Sequence, residues 1–529
     1  MNKFTVTSFS LLIAISGSVI ASDQLSPAEV TIGERLFLET RFAQAWFVSP
    51  GKPEPALAKT VTTGKPRVGK HANDTMSCRA CHMVDEHKDD LGTRTYADFA
   101  GASPIPNRND EKHLTGRNSM SLVNISKTDV SNILFHFDGE FNSLEDLVVG
   151  TFTGRNFGWQ TTEKQTAIKH IADIIRTDDG KGELAREFGG SYRKILNGTD
   201  EDLSAEFRLP SEYRIDTIKA SDTEILAAVA KLITAYMEDL AFSTDKNGLY
   251  NGSPYDAFLD LNKLPRAHKE NESKIEYGQR LLKEINKLDK PIFISETHGN
   301  FETHTQKFIF SKKELKGLQL FLRSGSETQS GGNCASCHQA PHFTDFRFHN
   351  TGISQNQYDK LHGHGAFNKI KIPDFKARII NADKYLPASA KHPSALSIFR
   401  AKPDANKPEH TDLGLWNITA NPDIPGPQKK IQDILCEDKA ACTADIMLSK
   451  SVAAFKTPGL RDTGHSAPYM HTGELNTLSE VIAMYIRNSK LAQEGGLRNS
   501  NSELLKIKLA GSDIEYLVAF INSLNEDYD

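Results

Sequence analysis

A mainly α-helical protein is what this sequence predicts, on three observations. Ser or Thr followed three residues later by Glu recurs just ahead of apolar runs, at Ser26–Glu29, Ser221–Glu224, Ser311–Glu314, Thr477–Glu480 and Ser512–Glu515, which is the capping box that opens helices. Apolar residues return at helical period in "EILAAVAKLITAYMEDLAF", "ELKGLQLFL" and "IEYLVAFINSL", whereas β-alternation is scarce. Gly, Pro, Asn and Asp crowd the connections, so long loops join the helices. At 529 residues the chain is too long for one ordinary core and suits two domains. The formal net charge of −5 argues against nucleic-acid binding, which wants a basic excess.

The first element is the start, "MNKFTVTSFSLLIAISGSVIASDQ", with Lys3, an apolar run over Leu11 to Ile15, and Val19-Ile20-Ala21. It reads as a signal peptide, residues 1–21, cleaved after Ala21. The alternative, an uncleaved anchor, has an apolar core short of the ~20 residues a spanning helix needs. The expected location is a bacterial periplasm, and no later segment suggests an integral membrane protein.

Next comes "MSCRACHMVDEH", residues 76–87, with Cys78, Cys81 and His82. A C-x-x-C pair alone fits a thiol redox couple or half a zinc site. A histidine directly after it makes the pattern of c-type haem attachment, in which two thiols fix the porphyrin edge and the imidazole reaches iron. "NCASCH", with Cys334, Cys337 and His338, repeats the pattern. A four-cysteine zinc site would give the two histidines no role. The remaining pair, Cys436 and Cys442, suits a local disulfide in an oxidising compartment. A weak repeat, "TIGERLFLETRF" and "ELKGLQLFLRSG", precedes the two motifs. The polar stretch 262–274 marks the boundary, giving domains at 22–268 and 269–529 with an insertion at about 350–450 rich in Pro, Asn and Lys. Its "HGHG", residues 362–365, reads as an exposed flexible loop rather than a metal site.

In the second half, "FSKKELKGLQLF", "CASCHQAPHFTDFRFHNTGI", "AFKTPGLRDTGHSAPYMHTGELNTLSEVIAMY" and "YLVAFINSLN" follow one another, and the first half has "GERLF", "CRACH", "GRNSMSLVN" and "HFDGEFNSLEDL". In this order they closely resemble the bacterial dihaem cytochrome c peroxidase superfamily, which includes the maturation enzyme MauG. The resemblance implies two cytochrome c-like haem domains with long loops and two covalently bound c-type haems. His82 would be the proximal ligand of a peroxidatic haem and His338 that of an electron-transferring haem. It implies a calcium ion held by Asn118 and the carbonyls of Ser466 and Pro468, against the plain alternative that Asn118 caps a turn. Arg461 suits a haem-propionate contact, with a surface salt bridge as its alternative, and His471 suits a structural role between the haems. Hydrogen peroxide would react at the first haem and share oxidising equivalents with the second. Electrons would come from a small redox protein, cytochrome c or cupredoxin, or from an oxidisable protein substrate; homodimerisation is left open.

Departures from the family pattern sharpen this. Where the peroxidases carry a methionine ligand to the second haem, fourteen residues beyond His471, this chain has Tyr485, beside Met484. Leu478, Val481, Ile482, Tyr485 and Ile486 form one helical stripe, with Met484 about 120° away, so Tyr485 is the expected ligand. Phenolate stabilises higher iron oxidation states, unlike thioether. Phe137 stands where the family has an inter-haem tryptophan, leaving direct tunnelling or another group such as Trp159 or Trp416. Glu140 replaces an arginine, Asp110 a distal histidine, and Phe157 and Leu147 the family's glutamate and glutamine. His113, His136 and Glu140 are the acid–base candidates, with His136 preferred. A MauG-like protein-modifying oxidase, a non-enzymatic dihaem electron carrier and an oxygenase of apolar substrates remain as other readings.

Overall fold

The computed structural model describes residues 26–51, 77–82, 105, 108–109, 115–127, 130–198, 201–301 and 306–526. The expected leader, Asp110 and His113 lie outside them.

The described chain is helical, with one two-stranded antiparallel sheet, Phe348–His349 against Phe455–Lys456. Three of the expected capping boxes form, at Ser221–Glu224, Ser311–Glu314 and Thr477–Glu480. Two do not. The helix Ala28–Leu38 starts from Pro27, whose carbonyl accepts from Val30 and Thr31. Ahead of Ile514–Asn522 an extra turn forms, and Asp513 rather than Glu515 caps back onto the Ala510 N–H at 2.9 Å.

The weak repeat has a packing meaning. Ala28–Leu38 lies against Asp222–Asp239, and Lys312–Leu322 lies against Ile514–Asn522. A Cβ on Gly33 would sit 2.2 Å from the Leu232 carbonyl oxygen, and one on Gly317 would sit 1.9 Å from that of Tyr516. Each half therefore needs glycine where its first helix meets its last. Four residues on, Phe37 and Phe321 both reach the same central cavity. One apolar cluster runs from Ile32 to Tyr250 with Phe346 added, and a second from Tyr255 to Leu524.

The insertion folds around its own core of Phe367, Phe399, Leu413 and Trp416, each at most 2% exposed. The expected "HGHG" loop is corrected in part: His362 ends the helix Ile353–His362 with its ring tilted against Tyr358 at 4.3 Å, while His364 lies in an exposed turn. The Phe399–Trp416 pair and Phe367 beside it assemble the neighbouring core from residues distant in sequence, which local composition does not register. The Cys436–Cys442 disulfide is present. Among the described residues no helix is long and apolar enough to cross a membrane.

Candidate functional site

Each C-x-x-C-H segment is a single tight turn. The N–H groups of Cys81 and His82 return to the Cys78 carbonyl at 3.1 and 3.0 Å, and those of Cys337 and His338 to the Cys334 carbonyl at 3.2 and 2.8 Å. All four thiols and both imidazoles line one cavity of about 2130 Å³. Ordinary ligand cavities run to about 300–1,000 Å³, so this space suits two large groups. His338 Nδ1 lies 3.0 Å from the Phe343 carbonyl, which leaves Nε2 for a metal. Burial pushes the His82 pKa down to about 4, with the Met120 main chain offsetting part of it, and burial lowers that of His338 too. Both are neutral imidazoles, the form that ligates iron. Thiols, imidazoles and space together fit a pair of c-type haems.

Tyr485 lines the cavity, as do Leu478, Val481 and Ile482 of the same stripe. Met484 is 1% exposed and packs against Ile353 and Phe455, which line the cavity, but does not itself line it. The helix Leu478–Gln493 is thus buried on two faces, and the stripe found from sequence is the one that faces the cavity. Burial first, then the Cys337 and Cys334 sulfurs, raise the Tyr485 phenol above its ordinary range.

A different set of groups surrounds the first motif. Phe135 and Phe141 bridge across a turn, the Phe135 N–H donating to the Phe141 carbonyl at 2.8 Å. Within it His136 takes φ 66° and Gly139 φ 72°, so the chain reverses tightly and sends His136 and Phe137 into the cavity. His136 Nδ1 lies 3.3 Å from Glu140 Oε2 and its ring stands edge-on to Phe141 at 4.8 Å. Glu140 is a carboxylate paired with Arg400 of the insertion at 2.5 Å. Burial works against that charge, but the Arg400 guanidinium and His136 hold Glu140 well below the usual carboxylate range. Glu140 is therefore unsuited to donate a proton, leaving His136 as the described acid–base candidate. Leu147 and Phe157 supply apolar wall.

Arg461 departs from expectation. Its guanidinium makes a bidentate pair with Asp256 at 2.8 and 2.9 Å, donates from Nε to the Pro341 carbonyl at 3.0 Å and lies over the Tyr250 ring. It is thus already paired within the chain, and it also lines the cavity. Five residues earlier, Lys456 lines the cavity with the Phe135 ring 5.2 Å from its ammonium, and burial lowers its pKa to about 7. An acidic guest would relieve that cost, so Lys456 joins Arg461 as a cation on the cavity wall able to meet a carboxylate.

Asn118 Nδ2 donates to the Pro468 carbonyl at 2.8 Å, its N–H donates to the His471 carbonyl at 2.7 Å, and its Oδ1 accepts from Ser119. Ser466 donates to the Asp462 carbonyl at 3.2 Å. Asn118 and Pro468 thus meet directly, an amide–carbonyl contact at the place where the resemblance implies a calcium ion. His471 is 2% exposed, stacked on Phe455 at 3.9 Å and edge-on to Phe137 at 6.5 Å, and lines the cavity. Trp159 lines the cavity, whereas Trp416 sits in the insertion core under Arg378.

No protein-family model matches the chain. A cytochrome-c peroxidase, IdrP2, of Denitromonas iodatirespirans is 27% identical over 222 residues, 41% of this chain and 42% of that protein. Methylamine utilization protein MauG of Methylophilus methylotrophus is 39% identical over 72 residues, 14% of this chain and 20% of that one. The chain thus spans about two fifths or less of the length of these relatives. Among solved structures, the diheme peroxidase BthA from Burkholderia thailandensis aligns over 95% of this chain and 87% of its own, at 15% identity and a TM-score of 0.44. Two C-x-x-C-H turns opening into one cavity, with these partial sequence likenesses, support the resemblance to dihaem cytochrome c peroxidases and MauG.

Proposed function

We propose that the protein is an exported, peroxide-dependent oxidoreductase with two cytochrome c-like domains, each holding one covalently attached haem; the boundary expected at 268/269 moves to between Tyr250 and Tyr255, where the two apolar clusters part. The observation that carries this reading is the single cavity shared by Cys78, Cys81, His82, Cys334, Cys337, His338, His136 and Tyr485. When bound, the two haems supply peroxide O–O cleavage and storage of oxidising equivalents at two irons. The residues supply the rest. His82 and His338 offer neutral imidazole nitrogens to the two metals. His136 accepts the proton of bound hydrogen peroxide and returns it to the departing oxygen, the transfer that heterolysis requires. His113 is a second acid–base candidate by position in the sequence. Tyr485 gives the second site a hard anionic donor once a cation beside it draws off the phenol proton. Phe137 and His471 pack between the sites without an easily oxidised side chain, so sharing runs by direct tunnelling or through another group. Lys456 neutralises a propionate. A calcium ion between Asn118, Ser466 and Pro468 would require the Asn118 amide to turn, and the reading does not use one.

A small cytochrome or cupredoxin as electron donor is the simplest partner. One observation favours a protein substrate instead: Trp159, 1% exposed on the cavity wall, lies 5.5 Å from the ring of Phe47, itself 46% exposed. An oxidisable indole therefore stands between cavity and surface. The test is intact mass and electron paramagnetic resonance of the ferric protein from a host that attaches haem, followed by peroxide addition without prior reduction. Two attached haems, one high-spin and one low-spin, with prompt reaction are expected. Two low-spin haems inert to peroxide would make the protein an electron carrier.

A further inference from the structure

We infer that Arg400, carried by the insertion, is a positioning residue for His136: it fixes the Glu140 carboxylate that fixes the imidazole. This rests on the reading of His136 as the proton acceptor at the first site.

Four observations converge on it. Arg400 Nη2 binds Glu140 Oε2 at 2.5 Å, and the same oxygen lies 3.3 Å from His136 Nδ1. Arg400 Nε also binds Asp138 Oδ2 at 3.0 Å, and Asp138, fully buried, is held from the other side by Arg117 at 2.7 Å. Arg117 in turn makes a bidentate pair with Asp412 of the insertion at 2.8 and 2.9 Å. Arg400 itself is rigidly mounted: Phe399 beside it is 2% exposed in the insertion core, and a bridge ties Arg400 to Asp412.

The chemistry follows from these contacts. A carboxylate locked by a guanidinium can only accept hydrogen bonds, so His136 keeps its proton on Nδ1, facing Glu140. Nε2 is then the basic nitrogen. The charged groups around His136 are Glu140 and Asp138 on its own turn, Arg400 from the insertion, Arg117 behind Asp138, Lys456 over the Phe135 ring, and His82 close enough for its charge to be felt. Arg400 offsets the negative charge of Glu140. Without it, Glu140 would favour the protonated, non-accepting imidazole.

The experiment uses the holoprotein and cyanide association with the ferric first haem across pH, because hydrogen cyanide must also give up a proton on binding. Wild type, Arg400→Gln, Arg400→Lys and Glu140→Gln are compared, with haem content and circular dichroism as controls. Arg400→Gln should move the acid limb of the profile to higher pH, lowering the rate about tenfold on that side. Arg400→Lys should restore most of it, and Glu140→Gln should move the limb the opposite way. Limbs unmoved in both charge variants, with rates lowered uniformly, would overturn the inference and leave Arg400 as a clamp for the insertion. If Arg400→Gln fails to hold haem, Arg400→Lys and Glu140→Gln decide alone: an unmoved limb in Glu140→Gln counts against. A normal cyanide profile in a wild type inert to peroxide would instead fault the peroxidase reading.

Discussion

The two C-x-x-C-H turns are built alike and face unlike surroundings. Opposite the second stands a helix face of Leu478, Val481, Ile482 and Tyr485, apolar apart from one phenol. Near the first stands a hairpin turn whose His136 is linked through Glu140 to Arg400. One environment is suited to hold charge, the other to move a proton. The difference teaches that attachment chemistry, being local, repeats in both halves, while each site's task is set by what the rest of the fold brings to it.

The comparison breaks most visibly at His136. Replacing it with Gln should slow the peroxide reaction at the first haem by about 10²–10⁴-fold, the usual worth of a positioned acid–base group, and leave the second haem's spectrum untouched. Stopped-flow mixing reads this, and a rate within a factor of about three of wild type would remove the proton-handling half of the contrast.

A stability measurement sharpens the other side. Arg461 and Asp256 are 2% and 4% exposed in their side chains and tie the second half together. Arg461→Met leaves Asp256 buried and unpaired, at a cost of about 3–5 kcal/mol by denaturant unfolding. Lys169→Met, which breaks a surface pair 65% and 44% exposed, should change little.

Tyr485→Met should raise the second haem's reduction potential by on the order of 100 mV, a fraction of the ~0.8 V that axial ligands span. Potentiometry on that variant and on Met484→Leu separates the two neighbours: a shift in the second and none in the first would reverse the assignment. The smallest expected effect is at Phe137, where Leu should leave sharing of oxidising equivalents between the sites intact. Lost sharing with both haems bound would make the ring an obligatory bridge.

The first half of the site lay open to sequence reading because its chemistry is contiguous. Cys78, Cys81 and His82 are neighbours in the chain, as are Cys334, Cys337 and His338, and a turn of three residues is enough to align them. Tyr485 was legible for a related reason: helical period alone decides which face it shares with Leu478 and Ile482. Caps at Ser221, Ser311 and Thr477 were likewise local. Even the glycines at 33 and 317 stood in the sequence as a faint repeat.

Other parts needed the folded chain. Arg400 meets Glu140 across 260 residues and Arg461 meets Asp256 across 205, so no spacing rule links them. Lys456 and Arg461 both line the cavity, and only the fold shows that Arg461 has a carboxylate partner within the chain. Sequence by itself determined the helices, the two attachment turns and the face on which Tyr485 lies, because backbone geometry over a few residues enforces each. Which charges are paired, and which are left facing the cavity, was decided by tertiary structure, because a buried charge takes whatever partner the fold brings within about 3 Å.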